Sequence, residues 1–284
     1  ERNADWWKAR QINRIENVVL RKQVKEKLQQ TTVEYARKIG VIQNSLYGVD
    51  IQPIAAEISK LRCFLTLVVD ENIDETKPNR GVEPLPNLEF KFITADSLLK
   101  LPPERNEKGL ASLFGNQPEL EELQEIRLDY LQSYGEHKEE LKNRFLKLQK
   151  QIFNQQLSFG AKEDSRAYKI SSWNPFSHDK VDWFDPLWMY GVKEFDIVIG
   201  NPPYVSYYSN TGSTLTKEQR VYYANNYDSV IKENDRINSM NLFAERGLRL
   251  LKNEGILTYI VNKTFSVLPS YSEIRKYLLR KGQF

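Results

Sequence analysis

The period of the apolar positions changes several times along the chain, and each change marks an element. From Asp5 to Arg37 there is neither proline nor glycine, and Ile12, Ile15, Val19, Val24 and Leu28 recur at roughly helical spacing among lysines, arginines and glutamates, which predicts one or two helices. Ser45-Leu-Tyr-Gly-Val-Asp50 is a short apolar run that closes on an acid and predicts a strand. Ile54, Ile58, Leu61, Leu65 and Val68 then follow a helical period, and Pro53 suits a first-turn position, where its missing N–H costs nothing. Leu88 to Ala95 repeats the strand form, with Phe90, Phe92 and Thr94 alternating against Lys91 and Ile93, and it also stops at an acid, Asp96.

Between Pro102 and Glu194 the pattern is different. Gln117 to Leu157 is dense in Glu, Lys, Leu and Gln and has one glycine, Gly135, which predicts a helical insertion folded as a hairpin. Trp173-Asn-Pro-Phe176 and Trp183-Phe-Asp-Pro-Leu-Trp188 follow, with rings suited to packing an insertion onto a core. Regular alternation then resumes: Phe195-Asp-Ile-Val-Ile-Gly200 as a buried strand, Ser239 to Leu251 as an amphipathic helix, Gly255 to Val261 as a strand and Ser270 to Arg280 as a helix. Strand and helix alternating with one interruption predict an α/β fold with a largely parallel sheet. The organisation expected is an N-terminal helical segment, 1–44, and a core, 45–284, with the insertion at about 103–192. No internal repeat is visible.

Composition narrows the function classes. A chain of 284 residues, 40% hydrophobic and 12% aromatic, has enough apolar material for a core, which excludes disorder as its main state. No uncharged apolar run reaches the length of about 18 residues that a membrane span needs, and no signal peptide opens the chain. Cys63 is the only cysteine and cannot form an internal disulfide, and two histidines supply no zinc cluster, so no metal is expected and a cytoplasmic setting is the default. With 41 basic and 38 acidic residues, a polyanion must be held locally rather than by overall charge. The chain opens on Glu1 and closes on Phe284 just after a helix-like stretch, and the expectation is a piece excised from a longer protein.

In an open α/β sheet ligands bind outside the carboxyl ends of the strands, which directs attention to Asp50, Asp96, Asn201 and Asn262. An acid at the second strand end of a nucleoside-binding sheet can accept from both ribose hydroxyls, and Ile51 beside Asp50 can pack on an adenine face. Asp96, with Ser97 and Leu98 close by, can accept from an adenine amine. Helix capping is the competing reading for both acids.

Asn201-Pro202-Pro203-Tyr204 is more specific, because a chance match to this tetrapeptide in a chain of this length is on the order of one in a thousand. It follows an apolar strand directly. Proline at 203 pushes Pro202 into extended geometry, and two fixed φ angles hold the loop carbonyls in preset directions. The Pro202 carbonyl and the Asn201 side-chain oxygen can then accept both hydrogens of a planar exocyclic amine. Such acceptors favour the pyramidal, nucleophilic amine, stabilising charge as it develops. Tyr204 offers a ring for stacking a base taken out of its duplex, and the ring face is expected to matter more than the hydroxyl. A rigid surface turn is the alternative.

With Leu46-Tyr-Gly-Val-Asp-Ile51, Phe92-Ile-Thr-Ala-Asp96 and the Phe195 to Tyr204 run together, the sequence resembles the amino-methyltransferases that move a methyl group from S-adenosylmethionine to N6 of adenine in DNA. With the charged helical insertion added, it is similar more narrowly to the fused restriction and modification enzymes of type IIG. The resemblance implies a Rossmann-like, mostly parallel methyltransferase sheet with a helical insertion, incomplete at both ends. It implies a site-specific, adenine-specific DNA methyltransferase of class EC 2.1.1 within a restriction-modification system. The cofactor implied is S-adenosylmethionine, and the partner is double-stranded DNA with a flipped adenine; no membrane is involved. Carried over residue by residue, Asp50 takes the cofactor ribose, with Ile51 beside it on the adenine face, Asp96 takes the cofactor adenine amine, with Ser97 and Leu98 close by, and Asn201, Pro202, Pro203 and Tyr204 take the target base, Asn201 also bordering the cofactor.

Two departures qualify this. The family's glycine-rich loop, which holds the methionine part of the cofactor, belongs before Leu46, yet residues 1–39 contain no glycine. The family's target recognition domain belongs after the catalytic core. The chain is therefore expected to be the middle of a larger enzyme, inactive and less stable alone, with an apolar sheet edge exposed. Related enzymes with a similar loop methylate an RNA base or a protein glutamine, and a DNA-binding remnant without catalysis is a further alternative.

Lesser features carry less. Glu75-Thr76-Lys77 after Asp70 has the residues of a magnesium nuclease but the wrong spacing. Tyr204, Tyr207, Tyr208, Tyr222, Tyr223 and Tyr227 with Lys217, Arg220 and Lys232 can line a nucleic-acid path, although half of these rings are expected to be ordinary packing. Lys8, Arg10, Arg14, Arg21 and Lys22 read as a solvated face, His137 and His178 have no metal-like neighbours, and Cys63 reads as core.

Overall fold

Strand and helix alternate in a computed structural model of the protein, which describes residues 33–69, 75–76, 80, 87–102, 118–133, 135–158, 165–177, 179–207, 215–230 and 237–282. Most of the N-terminal helical segment, with its basic residues, lies outside the described residues, as do Asp70, Lys77, His178, Tyr208 and Lys232. The chain divides into two compact units, Glu1–Asp96 with Leu101–Asp182, and Ser97–Lys100 with Trp183–Phe284.

The first unit contains α1 (Val33–Asn44), β1 (Gly48–Asp50), α2 (Pro53–Val68), β2 (Phe92–Thr94), α3 (Pro118–Gln132), α4 (Gly135–Ser158) and α5 (Arg166–Ser172). β1 and β2 are parallel neighbours, with Gly48 opposite Phe92 and Asp50 opposite Thr94. Only glycine fits at position 48, because a Cβ there would lie 2.6 Å from the Phe92 ring. Tyr35, Ile42, Leu67, Leu88 and Phe92 form a core, and Cys63 packs partly against it, where burial pushes its thiol up. α2 begins at Pro53, but it buries Ala56 and Leu67 rather than the stripe that the periodicity singles out: Ile54, Ile58, Leu61 and Leu65 are 49% to 62% exposed. The helix is apolar on more than one face, so the strands can take one and leave the other open.

The insertion is pinned by rings, as its composition suggests. Phe90 meets Tyr130, Phe145 and Phe176 edge-on at centroid distances of 5.5, 5.3 and 5.4 Å. Gly135, at a φ of 59°, makes the sharp turn between α3 and α4. The Gln149 amide donates to the carbonyls of Ile170 and Trp173, which ties α4 to the end of α5.

The second unit contains α6 (Pro186–Tyr190), β3 (Phe195–Gly200), β4 (Ser206–Tyr207), α7 (Lys217–Asn226), β5 (Ile237–Asn238), α8 (Ser239–Arg249), β6 (Leu251–Tyr259), two 3-10 turns (Lys263–Ser266 and Pro269–Tyr271) and α9 (Ser272–Lys281). β3 and β6 run parallel from Ile197 against Ile256 to Gly200 against Tyr259. β4 and β5 form an antiparallel pair that the sequence pattern does not predict, with Ser206 opposite Asn238. Asp185 caps α6 by accepting from the Trp188 N–H, Pro186 follows it, and Gly191 ends the helix in left-handed geometry. Two clusters form the core, one around Leu98, Tyr223, Tyr227 and Leu242, the other around Met240, Tyr271, Ile274 and Tyr277. β3 and β6 are apolar on both faces, yet Ile197, Ile199 and Ile256 are 55%, 76% and 58% exposed, so one face of the pair is open.

Candidate functional site

Two strand ends of the first unit meet. Because β1 and β2 are parallel and adjacent, Asp50 and Asp96 close neighbouring strands at the same edge, and the Ala95 N–H donates to the Asp50 carbonyl at 2.9 Å. Asp50 is exposed, and its Oδ1 accepts from the Gln52 N–H at 2.8 Å. That bond holds the turn rather than capping the helix, whose N-cap is Gln52 itself. The second carboxylate oxygen has no hydrogen-bond partner among the described residues. Ile51 beside it is 47% exposed. Asp96 is half-buried, and its N–H donates to the Val181 carbonyl at 3.0 Å.

An unusual charge lies in the same unit. Lys91 is 3% exposed, with its Nζ 3.8 Å above the Tyr47 ring. Burial, and secondarily the Arg127 guanidinium, lowers its pKa to about 8. Burial pushes the Tyr47 hydroxyl up.

The second unit carries Asn201 to Tyr204 at the carboxyl end of β3. Asn201 is exposed, and its amide makes no hydrogen bond to a described residue. Pro202 is buried, which anchors the loop at its second position. The Pro203 carbonyl accepts from the Ser239 hydroxyl, and the Val205 N–H donates to the Ser239 hydroxyl oxygen at 2.9 Å. Val205 in turn accepts from the Ser239 N–H at 2.9 Å. The Tyr204 ring is 46% exposed, while its hydroxyl donates to the Ile260 carbonyl at 2.6 Å. The hydroxyl is thus engaged by the backbone just after β6. Asn262 serves the turn after β6, accepting from the N–H and hydroxyl of Thr264.

The unit also contains Ser97 and Leu98, and their backbone is held from outside the segment. The Ser97 carbonyl accepts from Arg246 Nε at 2.8 Å, that of Leu98 from the Tyr227 hydroxyl at 2.6 Å, and that of Leu99 from the Phe184 N–H at 2.8 Å. Of the tyrosines considered for a nucleic-acid path, Tyr223 and Tyr227 are core, and Tyr222 and Tyr207 pack against it. The sequence pattern does not single out Ser239, Glu245 or Arg246, and it offers Tyr227 only as one ring of a nucleic-acid path or as packing. Glu245-Arg246 in a helix of otherwise apolar face was the available signal. Glu245 is fully buried, accepts from the N–H groups of Asp228 and Ser229 at 3.0 and 2.7 Å, and pairs with Arg249.

Among the described residues there is no group of histidine, cysteine, aspartate and glutamate that could hold a metal, and no helix long and apolar enough to cross a membrane.

Comparison with known proteins identifies the family. Residues 44–284 match the family model described as Eco57I restriction-modification methylase. A Methanocaldococcus jannaschii protein, provisionally described as a type II restriction enzyme and methyltransferase, is 27% identical over 304 residues, covering 87% of this chain and 24% of its own. A type II restriction enzyme and methyltransferase of Escherichia coli is 33% identical over 85 residues, 30% of this chain and 8% of its own. A type II methyltransferase of Thermus thermophilus is 31% identical over 99 residues, 34% of this chain and 22% of its own. The chain thus spans less than a quarter of the length of each of these relatives.

Proposed function

The chain belongs to the Eco57I restriction-modification methylase family, and we propose that it forms the core of a site-specific enzyme that transfers a methyl group from S-adenosylmethionine to N6 of an adenine flipped out of double-stranded DNA. The reading takes 45–284 as a Rossmann-like core with a helical insertion at about 103–192, in a cytoplasmic restriction-modification enzyme.

The observation that carries it is the state of the Asn201 to Tyr204 loop: an exposed amide with no hydrogen-bond partner among the described residues, two consecutive prolines, and a half-exposed ring tethered through its hydroxyl. An exposed side-chain acceptor at a strand end, beside a tethered ring, can receive an amine donor in place of water. Asn201 Oδ1 and the Pro202 carbonyl accept the two amine hydrogens, drawing the nitrogen lone pair out of the ring. Tyr204 stacks the base and keeps it out of water. In the transfer the N–C bond would form as the methyl C–S bond breaks, the sulfonium leaving as a neutral thioether and the amine proton passing to solvent water.

The first unit fits the cofactor. An exposed carboxylate with one oxygen open, next to an exposed isoleucine, suits a ribose diol and the adenine face beside it. Asp96 at the adjoining strand end suits the adenine amine. The cofactor would supply an electrophilic methyl group on a sulfonium. Substituting Asn201→Ala in the whole protein tests the reading: losing one acceptor costs about 3 kcal/mol in the transition state, roughly a hundredfold in rate, with DNA affinity retained. Methyl transfer within a few-fold of the parent would overturn it.

A further inference from the structure

We propose that α8 is a strut which fixes the target-base loop and the adenine side of the cofactor site in one register, with Ser239 and Arg246 as its positioning residues. The inference rests on the function proposed above and concerns residues that touch neither substrate.

At the N-terminal end of α8, Ser239 is fully buried and meets the loop through four contacts: hydroxyl to the Pro203 carbonyl and, at 3.1 Å, to the Val205 carbonyl, Val205 N–H to that hydroxyl, and its own N–H to the Val205 carbonyl. Asn238 caps the helix by accepting from the Met240 N–H and also donates to the Ser206 hydroxyl at 3.2 Å. The chain is therefore locked on both sides of Tyr204 before the helix starts.

Seven residues on, about 10 Å along the axis, Arg246 leaves the same helix. It is 6% exposed, and its donors go to carbonyls: Nε to Ser97, Nη2 to Phe184 at 3.0 Å, with the guanidinium over the Phe184 ring. The next link is Tyr227, whose hydroxyl takes the Leu98 carbonyl, and Tyr222, whose hydroxyl accepts from the Lys100 N–H at 2.7 Å. Every residue from 97 to 100 is thus held through its backbone by a group elsewhere in the unit. The residue directly before this segment is Asp96. A buried arginine spent on two carbonyls is an expensive way to fix a loop, and water or a short polar side chain would satisfy those oxygens with less desolvation. What arginine adds is reach and a rigid fork.

Helix and sheet are kept from sliding by Gly247, where a Cβ would lie 2.6 Å from the Tyr259 hydroxyl and 2.7 Å from Leu257. β6 therefore shares the register of α8, and its end supplies the Ile260 carbonyl to Tyr204.

The two ends of a strut act on different kinetic parameters. In the whole protein, Arg246→Met should raise the dissociation constant for S-adenosylmethionine about tenfold while kcat at saturating cofactor stays within threefold. Tyr227→Phe, which deletes one hydroxyl, should raise it several-fold. Ser239→Ala should do the converse, lowering kcat about tenfold with cofactor affinity within twofold. Isothermal titration and single-turnover methylation read both quantities, with melting midpoints recorded beside them. If Arg246→Met does not fold, Tyr227→Phe decides. Unchanged cofactor affinity in both of these variants, or Ser239→Ala losing affinity rather than rate, overturns the strut while methylation by the parent leaves the function intact. A parent that neither binds S-adenosylmethionine nor methylates overturns both.

Discussion

Asn201 and Tyr204 are held in opposite ways, and their variants should differ accordingly. Asn201 presents an amide with no hydrogen-bond partner among the described residues, whereas Tyr204 is tethered by its hydroxyl to the Ile260 carbonyl. Removing the ring in Tyr204→Ala should weaken stacking of the extruded base by about 1 to 3 kcal/mol. Tyr204→Phe keeps the ring but loses the tether, at about 1 kcal/mol, and should fall between parent and alanine variant. Fluorescence of 2-aminopurine at the target position reports the order, and a phenylalanine variant equal to alanine would contradict a stacking role. Lys91 yields a prediction in pH. Its folded pKa of about 8 lies below the unfolded value near 10.4, so from roughly pH 8 to pH 10 the unfolded chain binds more protons and stability rises with pH by about 1 kcal/mol per unit. Below pH 8 both states carry the charge and the burial penalty is fully present. Lys91→Met should remove that rise, a difference that urea unfolding at pH 7.5 and 9.5 would detect; identical pH slopes in parent and variant would refute it.

At the scale of elements, α8 is where a small change should travel furthest. Gly247→Ala places a methyl group against Tyr259 and Leu257 and should cost about 1 to 3 kcal/mol by overpacking, seen as a lower melting midpoint; an unchanged midpoint would show that Tyr259 moves aside freely. Elements with a period were legible in the sequence: α2 from Pro53, β3 from the apolar run Ile197 to Ile199, and the helical insertion with its aromatic pins. The two-residue β4 and β5 were not, because two residues have no period and their pairing is set by Asn238 and Ser206 reaching across 32 positions. The same holds for the site. Asn201 to Tyr204, Asp50 and Asp96 stand out because each closes an apolar run, a local signal. Ser239, Ile260 and Arg246 act on partners 36, 56 and 149 positions away, and no local pattern carries such a distance. The buried stripe of α2 was legible only as apolar, since periodicity in a helix with more than one apolar face does not say which face is covered.

On the scale of the whole molecule, the open apolar surfaces matter most. The stripe of Ile54, Ile58, Leu61 and Leu65 and the face of Ile197, Ile199 and Ile256 are larger features than scattered surface hydrophobics. These 284 residues by themselves should therefore bind a hydrophobic dye and self-associate, and Ile58→Lys with Ile199→Lys should reduce both; a dye-silent monomer in sedimentation would contradict this. The functional account makes its own demand on the whole protein. Incubated with methyl-labelled S-adenosylmethionine and duplex DNA, then digested to nucleosides and resolved by mass spectrometry, it should yield label in N6-methyladenine, and Asn201→Ala should slow its appearance about a hundredfold while still binding DNA. Label confined to another base, to RNA or to protein, or label undiminished in the variant, would contradict it.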